Sequence, residues 1–264
     1  MLYYPQLSTR SVAQYPVQRL TELRSLVNVM PGGDSIRASD PGAGAIRWRL
    51  QYTSLTDAEW SAIEQLFAAV EGQLGSFTFL DPTSNLLAWS EDWTRKCWSA
   101  DPLLALSPGA PDPFGGTNAM QITNSAQTSQ RVMQETAGPG SFSYVFSVFV
   151  RSDAACEVDL VVSSAGQERA GAVAVGSTWK RAQFSADLGV TTDGVSFGIE
   201  LPAGVRVGAF GAQAEGQPVA GQYMKTTDLA GVFANTRFDS DTLRRTVDAP
   251  NQNSTSLSLI SKLI

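Results

Sequence analysis

Trp89, Trp93 and Trp98 stand close together in the chain with Arg95 among them, and Arg151 closes a later run of alternating polarity. Tryptophan offers a broad apolar face with an electron-rich π cloud, which suits the C–H face of a pyranose, while a guanidinium beside it can hold sugar hydroxyls. Trp89, Trp93, Arg95, Trp98 and Arg151 are therefore the candidate glycan-binding residues. Large aromatics are also the usual filling of a β-sandwich, so core packing is the competing reading for each tryptophan. Trp179, at the start of a later strand, belongs to the same weighing.

Catalytic constellations are harder to assemble. The chain contains no histidine, which removes Ser-His-Asp and Cys-His nucleophilic catalysis, histidine-ligated zinc and a histidine pH switch. Glu91/Asp92, Glu157/Asp159 and Glu200/Glu215 are carboxylates that a glycosidase could pair. Nothing in their spacing brings them together, so solvated surface acids is the reading preferred. Gly208-Ala209-Phe210-Gly211 lies within a strand-like stretch and does not open a helix, so it is no phosphate loop. The only cysteines, Cys97 and Cys156, are far apart and read as free thiols rather than a metal cage or a disulfide. No catalytic residue, metal or cofactor is expected.

Charge excludes further classes. The 264 residues carry 19 basic and 25 acidic side chains, a net of −6. The densest basic clusters are pairs such as Arg47/Arg49 and Arg244/Arg245, too small to track a phosphate backbone, so specific nucleic-acid binding is not expected. No run of 18 apolar residues occurs, so membrane insertion is not expected. The opening Met1-Leu2-Tyr3-Tyr4-Pro5 lacks a basic and then apolar leader, so export by signal peptide is not expected.

Two regimes of pattern position these residues. In the first, Ile46, Trp48, Leu50 and Tyr52 alternate with polar residues as a half-buried strand does. Thr56-Asp57-Ala58-Glu59 is a capping box, and Trp60, Ile63, Phe67 and Val70 follow at helical spacing, predicting one helix over about 57–71. Ser76–Leu80 is a returning strand. The second regime, 85–222, reads as short strands at 117–123, 142–150, 157–163, 179–186, 195–201 and 204–210, the pattern of an antiparallel jelly roll. Pro108–Gly116, rich in proline and glycine, reads as a surface loop. The stretch 223–264 returns to the first regime, with strands near 235–238 and 255–260. Charge divides the same way: 85–222 holds 8 basic and 13 acidic residues, and the flanks hold 11 and 12. The tail is too short to fold alone, and the first 84 residues would leave sheet edges bare. The expected fold is mainly β: a discontinuous β-sandwich or barrel-like domain with one helix (1–84 and 223–264), and an inserted β-sandwich (85–222).

The residues also carry a resemblance. Tyr15-Pro16, Trp48–Trp60 and Gly75–Pro82 resemble phage minor tail and distal-tail-like proteins, with Asn235–Ile264 similar to the closing half of that domain. Asn85–Trp93, Phe146–Ser152, Phe197–Leu201 and Phe210–Glu215 resemble tail modules similar to carbohydrate-binding jelly rolls. The resemblance implies a virion protein assembled in the host cytoplasm. It implies a ring of copies (a hexamer) at the tail tip or baseplate, between tail tube and tip proteins, with a peripheral module that meets host-surface polysaccharide. It brings no catalytic residue. A tail-associated glycan-degrading enzyme, or a sandwich that is only a spacer, are the alternatives.

Overall fold

A computed structural model describes residues 1–263, the side chain of Pro41 excepted. The chain is mainly β, with antiparallel sheets and one α-helix. It divides into two compact units: Met1–Ser8, Val12–Phe79 and the chain from Phe233 onward form one, and Thr9–Ser11 with Leu80–Val232 form the other.

The first unit contains β1 (Gln18–Val29), β2 (Ser35–Leu55), α1 (Asp57–Ala69), β3 (Phe77–Leu80), β14 (Val232–Phe238), β15 (Thr246–Ala249) and β16 (Gln252–Lys262). Its sheet runs β1-β2-β16-β14-β3, with β15 paired to β16. Alternation in β2 sends Ile46, Trp48, Leu50 and Tyr52 inward, where all are buried. Trp48 meets Phe79 at 5.0 Å and Phe233 at 4.8 Å between ring centroids, both edge-on. The Tyr4 and Tyr52 hydroxyls hydrogen-bond at 2.9 Å, which satisfies two polar atoms that the core would otherwise strand.

The capping box forms as its residues dictate. The Glu59 amide donates to Thr56 Oγ1 at 3.2 Å, and the Thr56 amide donates to Glu59 Oε2 at 2.8 Å. The other Glu59 oxygen accepts from the amide and hydroxyl of Ser8. Burial pushes that carboxyl up, but the hydrogen bonds from Ser8 and Thr56 outweigh it and hold the group below its ordinary range. The buried stripe of α1 is Trp60, Ile63 and Leu66. Phe67, expected in the stripe, is half-buried and leans edge-on against Phe238 at 5.0 Å. A helix turns about 100° per residue, so Leu66 at i+3 from Ile63 takes the inward place.

β1 and the distal half of β2 form a two-stranded ribbon that the sequence pattern does not reveal. Every residue of β1 is exposed. Leu26 opposite Ala38 and Asn28 opposite Ile36 share one face, while Val27 opposite Arg37 and Val29 opposite Ser35 share the other. At about 3.3 Å per residue the ribbon reaches roughly 40 Å.

The second unit is a sandwich of two five-stranded antiparallel sheets. One runs β10 (Gln167–Val175), β9 (Cys156–Ser164), β12 (Asp193–Leu201), β7 (Gln130–Pro139) and β4 (Trp98–Ala100). The other runs β11 (Lys180–Asp187), β8 (Ser143–Arg151), β13 (Arg206–Glu215), β6 (Ala119–Asn124) and β5 (Leu104–Ala110). Tyr144, Phe146, Val148 and Val150 of β8 point inward as their spacing predicts, and the Tyr144 and Phe146 rings meet Phe197 of the facing sheet at 5.4 and 6.2 Å. Pro108–Ala110, expected within a loop, pair with Met120 and Ala119 across a β-bulge. Proline is tolerated there because β5 is the edge of its sheet. Residues 224–231 hydrogen-bond to 85–90 through Asn85, Leu87, Trp89 and Ser90, so this returning segment packs as part of the sandwich.

Two outcomes test this architecture. Residues 80–232 expressed alone should unfold in one cooperative transition by circular dichroism; a chain with no transition would contradict the division. In the first unit, Ile63→Ala should cost about 2–5 kcal/mol in denaturant titration and Phe67→Ala clearly less, the reverse order meaning that the helix face is misassigned.

Candidate functional site

The sandwich decides which tryptophans can meet a ligand. Trp93 is 1% exposed and Trp98 6%. Their rings stack at 4.8 Å and 19°. Trp93 Nε1 donates to the Ser90 carbonyl at 3.0 Å and Trp98 Nε1 to the Trp89 carbonyl at 3.2 Å. Gln134, across the register from Trp98, is clamped by both backbone groups of Ala88. This corrects the expectation that Trp93 and Trp98 offer stacking faces: the sandwich has apolar volume to fill, and these rings fill it with their N–H groups satisfied.

Trp89 is half-buried, with the Arg95 guanidinium 4.1 Å above its ring. Arg95 is itself bonded to Asp92 at 2.6 Å. The Thr94 hydroxyl and then Arg95 hold the Asp92 carboxyl below its ordinary range. Arg95 therefore serves as a lid on Trp89 instead of reaching for a sugar. Trp89 also lines a pocket of about 300 Å³ with Asn118 and Lys225. Of the five sequence-predicted residues, the structure packs four into this one knot and sends Arg151 elsewhere.

Arg151 ends β8 on the outer face of its sheet, opposite Gly208 of β13, and Gly208 is opposite Gln121 of β6. Because residue 208 has no side chain, Trp179 lies over it; a Cβ there would come within 3.2 Å of the indole. Arg151, Gln121 and Trp179 thus line one open cleft of about 540 Å³, whose other walls include Pro111, Asp153 and Arg206. Arg151 donates to Asp153 Oδ1 at 2.8 Å. Gln121 Nε2 donates to the Val207 carbonyl at 2.7 Å. The Ser152 hydroxyl donates to the Arg206 carbonyl at 2.8 Å, tying two walls together.

Beside the cleft the same sheet face continues as aromatic surface. Phe114 is 69% exposed and stands edge-on to Phe149 at 5.5 Å and Phe210 at 5.8 Å. Its turn is organised by Asp112, whose carboxylate accepts from the amides of Phe114, Gly116 and Asn118. These bonds overcome the burial that would raise the Asp112 pKa and hold it below the ordinary value. Trp179 and Phe114 are the residues the candidate set missed. Each stands where proline, glycine or serine breaks a strand pattern, which is the one local signal that an aromatic is not core.

Glu200 and Glu215 are not brought together, and Glu215 is buried where a solvated acid was expected. Glu200 on β12 bonds Arg131, while Glu215 on β13, in the opposite sheet, accepts from Gln213, Gln217 and the Gly221 amide. Glu91 is engaged by Lys225 at 2.6 Å and by the Tyr223 hydroxyl at 3.1 Å. Cys97 and Cys156 are free thiols.

Fold and site together define an antiparallel β-sandwich with an open cleft that joins an aromatic ring to guanidinium and amide groups. No protein-family model matches the chain, and no curated protein matches it in sequence. Among solved structures it is similar to the CBM22-1 xylan-binding domain of Paenibacillus barcinonensis Xyn10C, at 15% identity and a TM-score of 0.42, over 53% of this chain and 99% of that one. It is similar to TmCBM61 in complex with β-1,4-galactotriose, at 17% identity and 0.39, over 50% and 98%. It is also similar to the enzymatically active domain of bacteriophage CBA120 tailspike protein 4, at 8% identity and 0.40, over 52% of this chain; the match spans 22% of that tailspike structure.

The burial difference gives a stability test. Trp93→Ala should cost about 3–5 kcal/mol in denaturant titration, as core aromatic truncations do. Trp179→Ala should cost about 1 kcal/mol or less, in the range of substitutions near the surface. Equal costs would mean that Trp179 is a core residue and the cleft is wrongly drawn.

Proposed function

We propose that this chain is a non-catalytic structural subunit of a bacteriophage tail, in which the split β domain assembles and the sandwich binds glycan on the host surface. The observation that carries the binding half is the cleft in which half-buried Trp179 stands with Arg151, Gln121 and Arg206. A pyranose needs an apolar face to stack on and fixed donors and acceptors around its rim, and this wall supplies both.

The assembly half rests on the β1–β2 ribbon and on the sequence resemblance to distal-tail-like proteins. A two-stranded ribbon buries little of its own surface and is marginal in water. This one leaves Leu23 80%, Val29 65% and Ile36 54% exposed, and β1 is the last strand of its sheet. Apolar residues along a free strand edge are what a subunit keeps for a neighbour. The proposed neighbours are copies of the chain in a ring (a hexamer) and the tail tube and tip proteins on either side. The proposed setting is the virion, assembled in the host cytoplasm.

A shallow single cleft binds weakly, with a Kd of about 1 mM, worth about 4 kcal/mol. Several copies on one ring raise avidity by about 10²–10⁴ where they engage together. The test measures the full chain by sedimentation velocity and on a glycan array. The wild type should form a closed oligomer and retain glycan. Leu26→Lys with Ile36→Lys should yield monomers, and Trp179→Ala should lose glycan while still assembling. A wild type that stays monomeric with its tail neighbours present overturns the assembly reading. One that ignores every glycan as a ring leaves the sandwich as a spacer, and release of reducing ends from a bound glycan would make it a hydrolase.

A further inference from the structure

Resting on the reading of the cleft as a glycan site, we propose that its ligand is an anionic saccharide, one that carries a carboxylate or phosphate on the sugar stacked at Trp179. Residues 85–222 hold 13 acidic side chains against 8 basic ones, so a cleft placed without regard to charge would hold more carboxylates than cations. This one is lined by Arg151 and Arg206 with Asp153 as the only carboxylate. Two cations against one anion is the inverse of the surrounding balance.

The state of each group sharpens the point. Most arginines of 85–222 are engaged. Arg131 pairs with Glu168 and Glu200, Arg95 with Asp92, Arg181 bonds the Gly221 carbonyl and Ser147, and Arg169 bonds the Glu168 carbonyl. Arg151 gives one terminal nitrogen to Asp153, whose side chain is itself 88% exposed. Arg206 is exposed, and no hydrogen bond or ion pair holds its guanidinium among the described residues. Its backbone, by contrast, is fixed: β13 pairs it with Thr123, and its carbonyl accepts from Ser152. A guanidinium on an anchored strand, left without a partner beside an aromatic platform, presents a planar fork of donors. That geometry matches a carboxylate or phosphate in two parallel hydrogen bonds. A neutral sugar would use single donors to hydroxyls and would have no need of an uncompensated cation.

The experiment titrates the full chain, by calorimetry and tryptophan fluorescence, with trigalacturonate, its neutral trimethyl ester and a phosphorylated mannotriose. At low salt, at least one anionic probe should bind about tenfold tighter than the ester, since charge-assisted bonds replace neutral ones. The advantage should shrink about threefold or more at roughly 0.3 M NaCl, because the cleft is open to screening ions. Arg206→Gln should erase the preference, bringing the anionic probes down to the affinity of the ester, and Trp179→Ala should weaken all three probes. The carboxylate and phosphate arms decide which anion the cleft takes. Ester and acids bound equally, or a preference that survives Arg206→Gln, would overturn the anionic assignment and leave the glycan site standing. Failure of every probe to bind would overturn the anionic assignment, and the glycan array alone would then decide the glycan site.

Discussion

The sandwich depends on how its two ends are held together. Asn85 is fully buried and uses every polar atom of its amide. Its Nδ2 donates to the carbonyls of Ala212 and Met224, and its Oδ1 accepts from the amides of Leu87 and Ala214. Its carbonyl accepts from Gly231 at 2.7 Å, and the Gly231 carbonyl accepts from Asp81 at 2.8 Å. The incoming and outgoing chains are thus zipped to one another and to β13. A sandwich whose termini meet can sit in the middle of another domain's sequence without opening it, because the host chain resumes close to where it left.

That neck also sets the fate of the aromatic residues. The chain leaving Asn85 brings two rings into the core, Trp93 ahead of β4 and Trp98 at its first position. Their stacked rings close the core beside Gln134, and Trp89 shields the knot beneath Arg95. The opposite holds on the outer face of the β11-β8-β13-β6-β5 sheet. There Gly208 clears space for Trp179, and the Asp112-centred turn lifts Phe114 into solvent. The same residue type is structural in one place and presented in the other, and the difference is made by what lies across the strand register.

The two units solve the problem of exposed surface differently. The sandwich covers its apolar faces with each other and surrounds them with acid, which favours solubility. The first unit buries Trp48, Phe79 and Phe233 against one another but extends a ribbon whose leucines, valines and isoleucine lie in water on both faces. Apolar residues left along a free strand edge are the physical reason that the proposed self-association is placed there.

Much of this was legible in the sequence. The capping box over Thr56–Glu59, the inward alternation of Ile46–Tyr52 and the alternation from Tyr144 to Val150 are local patterns with local causes, and each forms in place. The ribbon was not legible, because Leu20, Leu23 and Leu26 break the period of two and neither face packs on a core to enforce it. Strands 130–139 and 167–175 were equally hidden: in the first, polar Gln134 and Thr136 take buried positions, and the second is an edge strand rich in polar residues and alanines. The sequence by itself determined a β-rich chain with one helix, two regimes of pattern, and no histidine with which to do chemistry. Only the tertiary structure decided that Trp93 and Trp98 are core, that Arg95 caps Trp89, and that Arg151 meets Trp179, Gln121 and Arg206. Strand alternation assigns a residue to a face, but which face is covered depends on pairings between strands far apart in the chain.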